Sequence, residues 1–94
     1  MITHIVLFKL KEPTPEAVEK ARDLLLSMQG KIEQLRYLEV GVDKIRSERS
    51  ADIALTTRFD SMEDLQAYIV DPYHAQVVAA HMKSVCSSVV SADY

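Results

Sequence analysis

The sequence contains a single cysteine, no tryptophan, two glycines and no long apolar run. Cys86 therefore has no partner for an intramolecular disulfide, and its neighbours supply no basic group that would activate a thiol. We expect Cys86 to be a small buried hydrophobic residue. No stretch approaches the roughly 20 apolar residues of a membrane span, and no basic leader precedes an apolar segment. These absences predict a cytoplasmic protein without a membrane partner.

Positive charge is also scarce, because 11 Lys and Arg residues face 14 Asp and Glu residues, for a net charge of -3. Non-specific nucleic-acid binding needs a basic surface that displaces counterions. The chain has no glycine-rich phosphate loop and no cluster of residues at metal-ligand spacing. His74 and His81 lie about 10 Å apart along a predicted helix and cannot share an ion. We predict no nucleic-acid partner, no metal and no cofactor.

The pattern of apolar residues predicts one domain over residues 1–94, since 94 residues leave no room for a second core. The order of elements is β-α-β-β-α-β, which is the ferredoxin-like arrangement, an α+β fold with a four-stranded antiparallel sheet. The predicted strands are residues 2–10, about 37–45, 52–59 and 85–94. The predicted helices begin after Thr14 and Ser61, with the first ending near Met28 and the second broken in two.

Local signals mark the boundaries of these elements. Thr14 and Ser61 are natural N-caps, and Gly30 supplies a left-handed C-terminal cap. Asp71-Pro72 breaks the second helix, because the residue before a proline is pushed out of the helical region. Asp71 then caps a new helix that begins at Pro72.

The second strand and the loop that follows it each carry a further prediction. Gly41, in the middle of the second strand, indicates a bulge or a close backbone approach. Residues 46–50 are polar throughout and carry no apolar side chain that would hold the loop against the core, so we expect a mobile loop.

The first and third strands carry apolar residues on both faces, although two helices cover only one face of such a sheet. Something else must cover the other face. A second copy of the chain, packed sheet against sheet, is the economical answer. The pattern therefore predicts a homodimer that closes a dimeric α/β barrel.

Motifs spread along the whole chain resemble those of the stress-responsive dimeric α/β-barrel (Dabb) family. Residues 3–9 resemble the opening strand of the family and residues 38–41 its second strand. Residues 59–65, followed by Tyr68 and residues 71–74, are similar to its helical motif, and residues 92–94 to its usual end. The resemblance implies ferredoxin-like protomers that dimerise through their sheets.

The family includes plant stress-associated proteins, bacterial members without an assigned activity, and a plant polyketide cyclase that makes olivetolic acid by a cofactor-free aldol condensation. By position in the motifs, Tyr68 and His74 resemble the catalytic pair of that cyclase, and His4 resembles a histidine that lines its pocket. One departure is plain, since Asp71 stands where the family motif has a histidine. This change alters the charge beside the pocket, and it weakens the inference that this chain acts on the same substrate as the cyclase.

The residues themselves support a site at this place. A histidine near a helix N-terminus is expected to be neutral, so His74 is a candidate general base. Tyr68 is a candidate donor that orients the base or polarises a carbonyl. We expect His4, Asp71 and Tyr73 to line the same pocket.

Two functions remain open at this point, with a third that only the fold suggests. The first is a cofactor-free cyclase- or lyase-like enzyme that acts on a small carbonyl-bearing or aromatic molecule. The second is a non-catalytic, stress-associated dimeric binding protein, in which Tyr68 is a core aromatic residue and His74 a hydrogen-bonded surface residue. The third is a monooxygenase-like member of the wider superfamily.

Overall fold

The computed structural model describes Met1–Tyr94 and contains one four-stranded sheet with the helices packed on one of its faces. The strands are β1 (Ile2–Leu10), β2 (Tyr37–Val42), β3 (Ile53–Phe59) and β4 (Cys86–Asp93). The helices are α1 (Pro15–Leu26), α2 (Met62–Val70) and α3 (Ala80–Val85), with a π-helical segment, Tyr73–Ala79, between α2 and α3. We call it the π segment. The predicted ferredoxin-like α+β fold is confirmed.

The sheet has the order β2-β3-β1-β4, and every neighbouring pair of strands is antiparallel. β1 is central, pairing with β3 on one side and with β4 on the other. The β1–β4 register places His4 opposite Asp93 and shifts between Lys9 and Leu10. This pairing brings the two ends of the chain side by side.

Side chains alternate along β1, so that Val6, Phe8 and Leu10 are buried whereas Leu7 is 39% exposed on the opposite face. The core under the helices comprises 16 buried side chains. They come from every layer of the fold: Val6, Phe8, Leu10, Ala21, Leu25, Met28, Ile32, Leu35, Ile53, Leu55, Phe59, Leu65, Tyr68, Val78, Met82 and Cys86. The prediction that Cys86 is a buried core residue is confirmed.

The predicted N-caps at Thr14 and Ser61 are present. The Thr14 hydroxyl accepts the Ala17 N–H at 3.1 Å, and the Ser61 hydroxyl accepts the Asp64 N–H at the same distance. Gly30 has a φ of 81°, the left-handed conformation that a glycine adopts without strain. It is not the C-cap of α1, however, because the helix ends at Leu26 and Ser27 is its C-cap.

Several boundaries differ from the predictions. β3 and β4 each start one residue later than predicted. α1 ends at Leu26 rather than near Met28, because the Ser27 hydroxyl donates to the Leu24 carbonyl and competes with the helix. β2 ends at Val42 rather than at residue 45. The register of β2 with β3 is unbroken at Gly41, and a Cβ there would meet no atom within 4 Å. In this protomer the prediction of a bulge or close approach at Gly41 is wrong.

The loop between β2 and β3 has polar anchors that its sequence does not reveal. Arg46 has a φ of 59°, and its N–H donates to the Asp43 carboxylate at 2.7 Å. Its guanidinium lies 2.8 Å from the carboxylate of Asp52, which is only 4% exposed. Ser47 and Ser50 bond to each other. The loop is therefore tied to the sheet through charge rather than through apolar contacts.

The helices are short, and none is both long and apolar enough to cross a membrane.

Candidate functional site

A cavity of about 470 Å³ lies between the inner face of the sheet and the segment that runs from α2 to α3. Its volume is within the range of pockets that hold small molecules. Of its 16 lining residues, ten are hydrophobic. The lining includes His4, Tyr68 and His74, so the structure brings together three of the five residues that the sequence singled out.

The break at Asp71-Pro72 creates the position of His74. The Asp71 carboxylate accepts the N–H groups of Tyr73 at 2.9 Å and His74 at 3.3 Å, which confirms Asp71 as a cap. Because the Tyr73 N–H is used in this way, the Ile69 carbonyl near the end of α2 has no helical partner. The Nδ1 atom of His74 lies 3.1 Å from that carbonyl oxygen.

This contact determines which ring nitrogen of His74 carries hydrogen in the neutral form. A carbonyl oxygen can only accept, so Nδ1 is the donor and Nε2 holds the free lone pair. Burial lowers the pKa of His74 below 6.5, and the neighbouring His4 acts in the same direction, against the opposing effects of the Ile69 carbonyl and Asp71. His74 is therefore a neutral imidazole near pH 7, with Nε2 able to accept a proton.

The lowered pKa of His74 predicts a pH-dependent stability. Below pH 6.5 the His74 imidazole binds a proton in the unfolded chain but not yet in the folded protein. The free energy of unfolding therefore falls until the pH reaches the lowered pKa of the folded state. His74→Gln should lose less stability than the wild type as the pH falls from 8 to 5, as measured by urea denaturation. A difference between the two proteins that stays constant with pH would show that His74 protonation is not coupled to unfolding.

Tyr68 forms a wall of the cavity beneath His74. Their ring centroids are 4.2 Å apart, and Phe59 lies on Tyr68 at 4.8 Å. Tyr68 is 0% exposed, and its hydroxyl donates to the Met28 sulfur at 3.7 Å. Burial raises the pKa of Tyr68 far above its ordinary value, so that the hydroxyl stays protonated and is a donor, never a phenolate base.

His4 enters the cavity from β1, with its ring centroid 6.2 Å from that of Tyr68. Its Nδ1 is hydrogen-bonded to the Asp93 carboxylate of β4. Sequence reasoning did not identify Asp93 as a partner of His4, since the two residues are 89 positions apart. The only signal was the resemblance of residues 92–94 to the end of a known family.

Asp71 and Tyr73 lie outside the lining of this cavity. Asp71 serves the backbone as a cap, as described above. Tyr73 turns towards α1, where its hydroxyl bonds to that of Ser27 at 2.5 Å and its ring lies 5.4 Å from the Lys31 ammonium. Both residues therefore support the wall that carries His74 rather than facing the cavity.

The π segment is a feature that the sequence did not predict, since Pro72 was expected to open an ordinary α-helix. It contains His74 and the buried Val78. A π turn is wider than an α turn and is frequently found at functional sites. We find no sequence signal that would have identified it.

Nowhere in the protein do three His, Cys, Asp or Glu side chains lie close enough together to hold a metal ion. His81, on α3, is not part of the lining.

Comparison with known proteins places the whole chain in one family. A family model described as the stress-responsive A/B barrel domain matches residues 2–94. A stress-response A/B barrel domain-containing protein of Arabidopsis thaliana is 26% identical over 95 residues, a match that includes 100% of this chain and 36% of the plant protein. The chain thus spans little more than a third of the length of that relative.

Solved structures give the same fold. A dimeric protein of unknown function with a ferredoxin-like fold from Bacteroides fragilis is 28% identical, with a TM-score of 0.84 over 99% of this chain and 93% of that one. The hydroxynitrile lyase of Passiflora edulis is 17% identical, with a TM-score of 0.84 over 99% of this chain and 90% of that one. At 17% identity the similarity to the lyase concerns the fold alone.

Proposed function

Because this chain belongs to the stress-responsive A/B barrel (Dabb) family, we propose that it is a homodimer with a small-molecule pocket in each protomer. We further propose that the pocket is the active site of a cofactor-free, cyclase- or lyase-like enzyme acting on a carbonyl-bearing or aromatic substrate. The observation that carries this proposal is the placement of His74, which is held through Nδ1 and packs with its ring tilted against Tyr68 in the wall of an apolar cavity.

The outer face of the sheet supports the homodimer. Leu7 is 39% exposed and Val90, its partner in the β1–β4 register, is 55% exposed. Ile5 lies on the same face by alternation along β1. An apolar patch in the middle of a sheet can pack against the same patch of a second protomer across a two-fold axis, and the Bacteroides fragilis relative is dimeric.

We also propose that the protein is located in the cytoplasm.

The chemistry available to His74 is proton abstraction next to a carbonyl. Nε2 would accept a proton from the carbon, the electron pair of the broken C–H bond would delocalise onto the carbonyl oxygen as an enolate, and the enolate carbon would bond to a second carbonyl carbon, whose oxygen would take the proton back from the imidazolium. The lyase direction is the reverse of these steps. The Tyr68 hydroxyl would donate to the enolate oxygen, which is a stronger acceptor than the Met28 thioether that it contacts in the free protein.

A second candidate function is a non-catalytic binding protein. One observation favours it, namely that Tyr68 has no exposed surface and uses its hydroxyl within the core. In that case the cavity would hold a ligand without turnover, and Tyr68 would act only as packing.

A thermal-shift screen of small aromatic, polyketide-like and lactone compounds tests the pocket. A ligand present at about 100 times its Kd should stabilise the wild type by about 2.7 kcal/mol. The effect should fall in His74→Ala and persist in His81→Ala, a matched control on the same helical arm but outside the cavity lining. If no compound shifts the wild type, the pocket proposal is wrong.

Turnover then separates the two candidates. For a compound that binds, an enzyme should convert it, and His74→Ala should reduce kcat by about 10²–10⁴-fold. Binding that depends on His74 without any conversion would support the non-catalytic alternative.

A further inference from the structure

We propose that the ligand of this cavity is an elongated apolar molecule that ends in a carboxylate, and that Lys83 binds the carboxylate. The inference rests on the proposed function, because it assigns the two ends of a ligand within the same cavity. It names the class of ligand, and Lys83 as a residue that determines specificity.

The first support is the distribution of charge around the cavity. Its lining contains His4, His74 and Lys83 but no carboxylate side chain. Lys83 forms no ion pair in the protein. It is exposed, as are the lining residues Ser87, Ser88 and Val89 at the start of β4, and we infer that the mouth of the cavity lies on this side. The carboxylates that contact lining residues are already engaged, since Asp93 is bonded to His4 and Asp71 accepts the N–H groups of Tyr73 and His74. A ligand anion would therefore meet an unopposed ammonium at Lys83.

The second support is the distance between the charged and the reactive ends. Lys83 follows His74 by nine residues on one continuous helical arm, which corresponds to at most about 13 Å along its axis, because a π turn rises less per residue than an α turn. The pairing of β1 with β4 also places the two sites at opposite ends of the sheet. His4 pairs with Asp93 at the end of β1 near His74, and Leu10 pairs with Cys86, next to α3, at the other end.

The third support is the character of the space between the two ends. Val6, Phe8 and Val78 line it, and the hydroxyl of Ser91 adds a polar group from β4. An extended chain of about eight to eleven atoms would cover the distance from His74 Nε2 to Lys83. A neutral ligand of the same length would leave the lysine unpaired at the mouth of the cavity.

The test compares octanoate with its neutral counterpart octanamide by isothermal titration calorimetry at low salt. The wild type should bind octanoate about two- to fivefold more tightly than octanamide, because an ion pair with an exposed lysine adds a small but measurable attraction that the amide lacks. Lys83→Met should abolish this preference by weakening octanoate alone, and added salt should reduce it in the wild type. Lys20→Met, which removes an exposed lysine of α1 outside the cavity lining, should retain it.

The outcomes distinguish this inference from the proposed function. Equal affinity for octanoate and octanamide, unchanged in Lys83→Met, would overturn the carboxylate assignment and leave the pocket intact. An octanoate preference that survives in Lys83→Met would also overturn it. Failure of both compounds to bind the wild type would overturn the carboxylate assignment, and the aromatic and lactone screen with His74→Ala would then decide separately whether the pocket proposal stands.

Discussion

Replacing Leu7 with glutamate is expected to separate the proposed homodimer into monomers that keep their fold. Leu7 lies near the middle of β1, the central strand that pairs with both β3 and β4, and points away from the helices. It is 39% exposed in the protomer, so a glutamate there remains hydrated in the monomer. In a dimer packed sheet against sheet, the same carboxylate would be buried without a partner, which costs about 3–5 kcal/mol. The dimer Kd should therefore rise by about 100-fold or more.

Size-exclusion chromatography with light scattering measures this change, and circular dichroism checks that the monomer is folded. Val90→Glu, on the same face of β4, should act in the same way. Val70→Glu is the matched control, because it makes the identical replacement at a residue that is 73% exposed at the end of α2. If Leu7→Glu and Val90→Glu both remain dimeric, the two protomers do not associate through this face.

Asp52→Ala is expected to lower the free energy of unfolding by about 2–4 kcal/mol. The Asp52 carboxylate is buried and accepts the Leu10 N–H at 2.7 Å, next to the register shift between β1 and β4. It also pairs with the Arg46 guanidinium at 2.8 Å. Alanine would leave the buried N–H of Leu10 without a partner and would free the anchor of the loop between β2 and β3.

Urea denaturation measures this effect, and two variants identify its source. Asp52→Asn retains an oxygen acceptor for the Leu10 N–H and should lose less stability than Asp52→Ala. Asp60→Ala removes the carboxylate of an exposed ion pair with Arg36 and should change stability by less than about 1 kcal/mol. An Asp52→Ala protein as stable as Asp60→Ala would show that the buried carboxylate does not hold the strand and the loop together.

The elements of the fold were predictable because their signals are local. The two-residue period of β1, the caps at Thr14 and Ser61, and the break at Asp71-Pro72 each depend on residues a few positions apart. The family resemblance drawn from these motifs is confirmed by the match over residues 2–94. The end of α1 was predicted less well, because the Ser27 hydroxyl competes with helical hydrogen bonds in a way that apolar periodicity does not reveal.

The candidate site was predictable only in part. The sequence pointed to His4, Tyr68 and His74, which the fold brings to one cavity, and also to Asp71 and Tyr73, which lie outside its lining. Tyr73 is next to His74 on the helix, where adjacent positions face different directions, and Asp71 turns its carboxylate to the backbone N–H groups that it caps. Their side chains therefore contact the backbone and α1 instead.

By itself the sequence determined the order of strands and helices and the N-caps at which the helices begin. It also determined that β1 is apolar on both faces, from which a covering of the outer face is predicted. The tertiary structure alone decided the pairing of His4 with Asp93, the anchoring of Arg46 and Leu10 by Asp52, and the π turn that carries His74 over Tyr68. Periodicity and capping act within a few residues of chain. The contacts of the second group join distant segments, and they depend on a sheet register that the packing of the whole core selects.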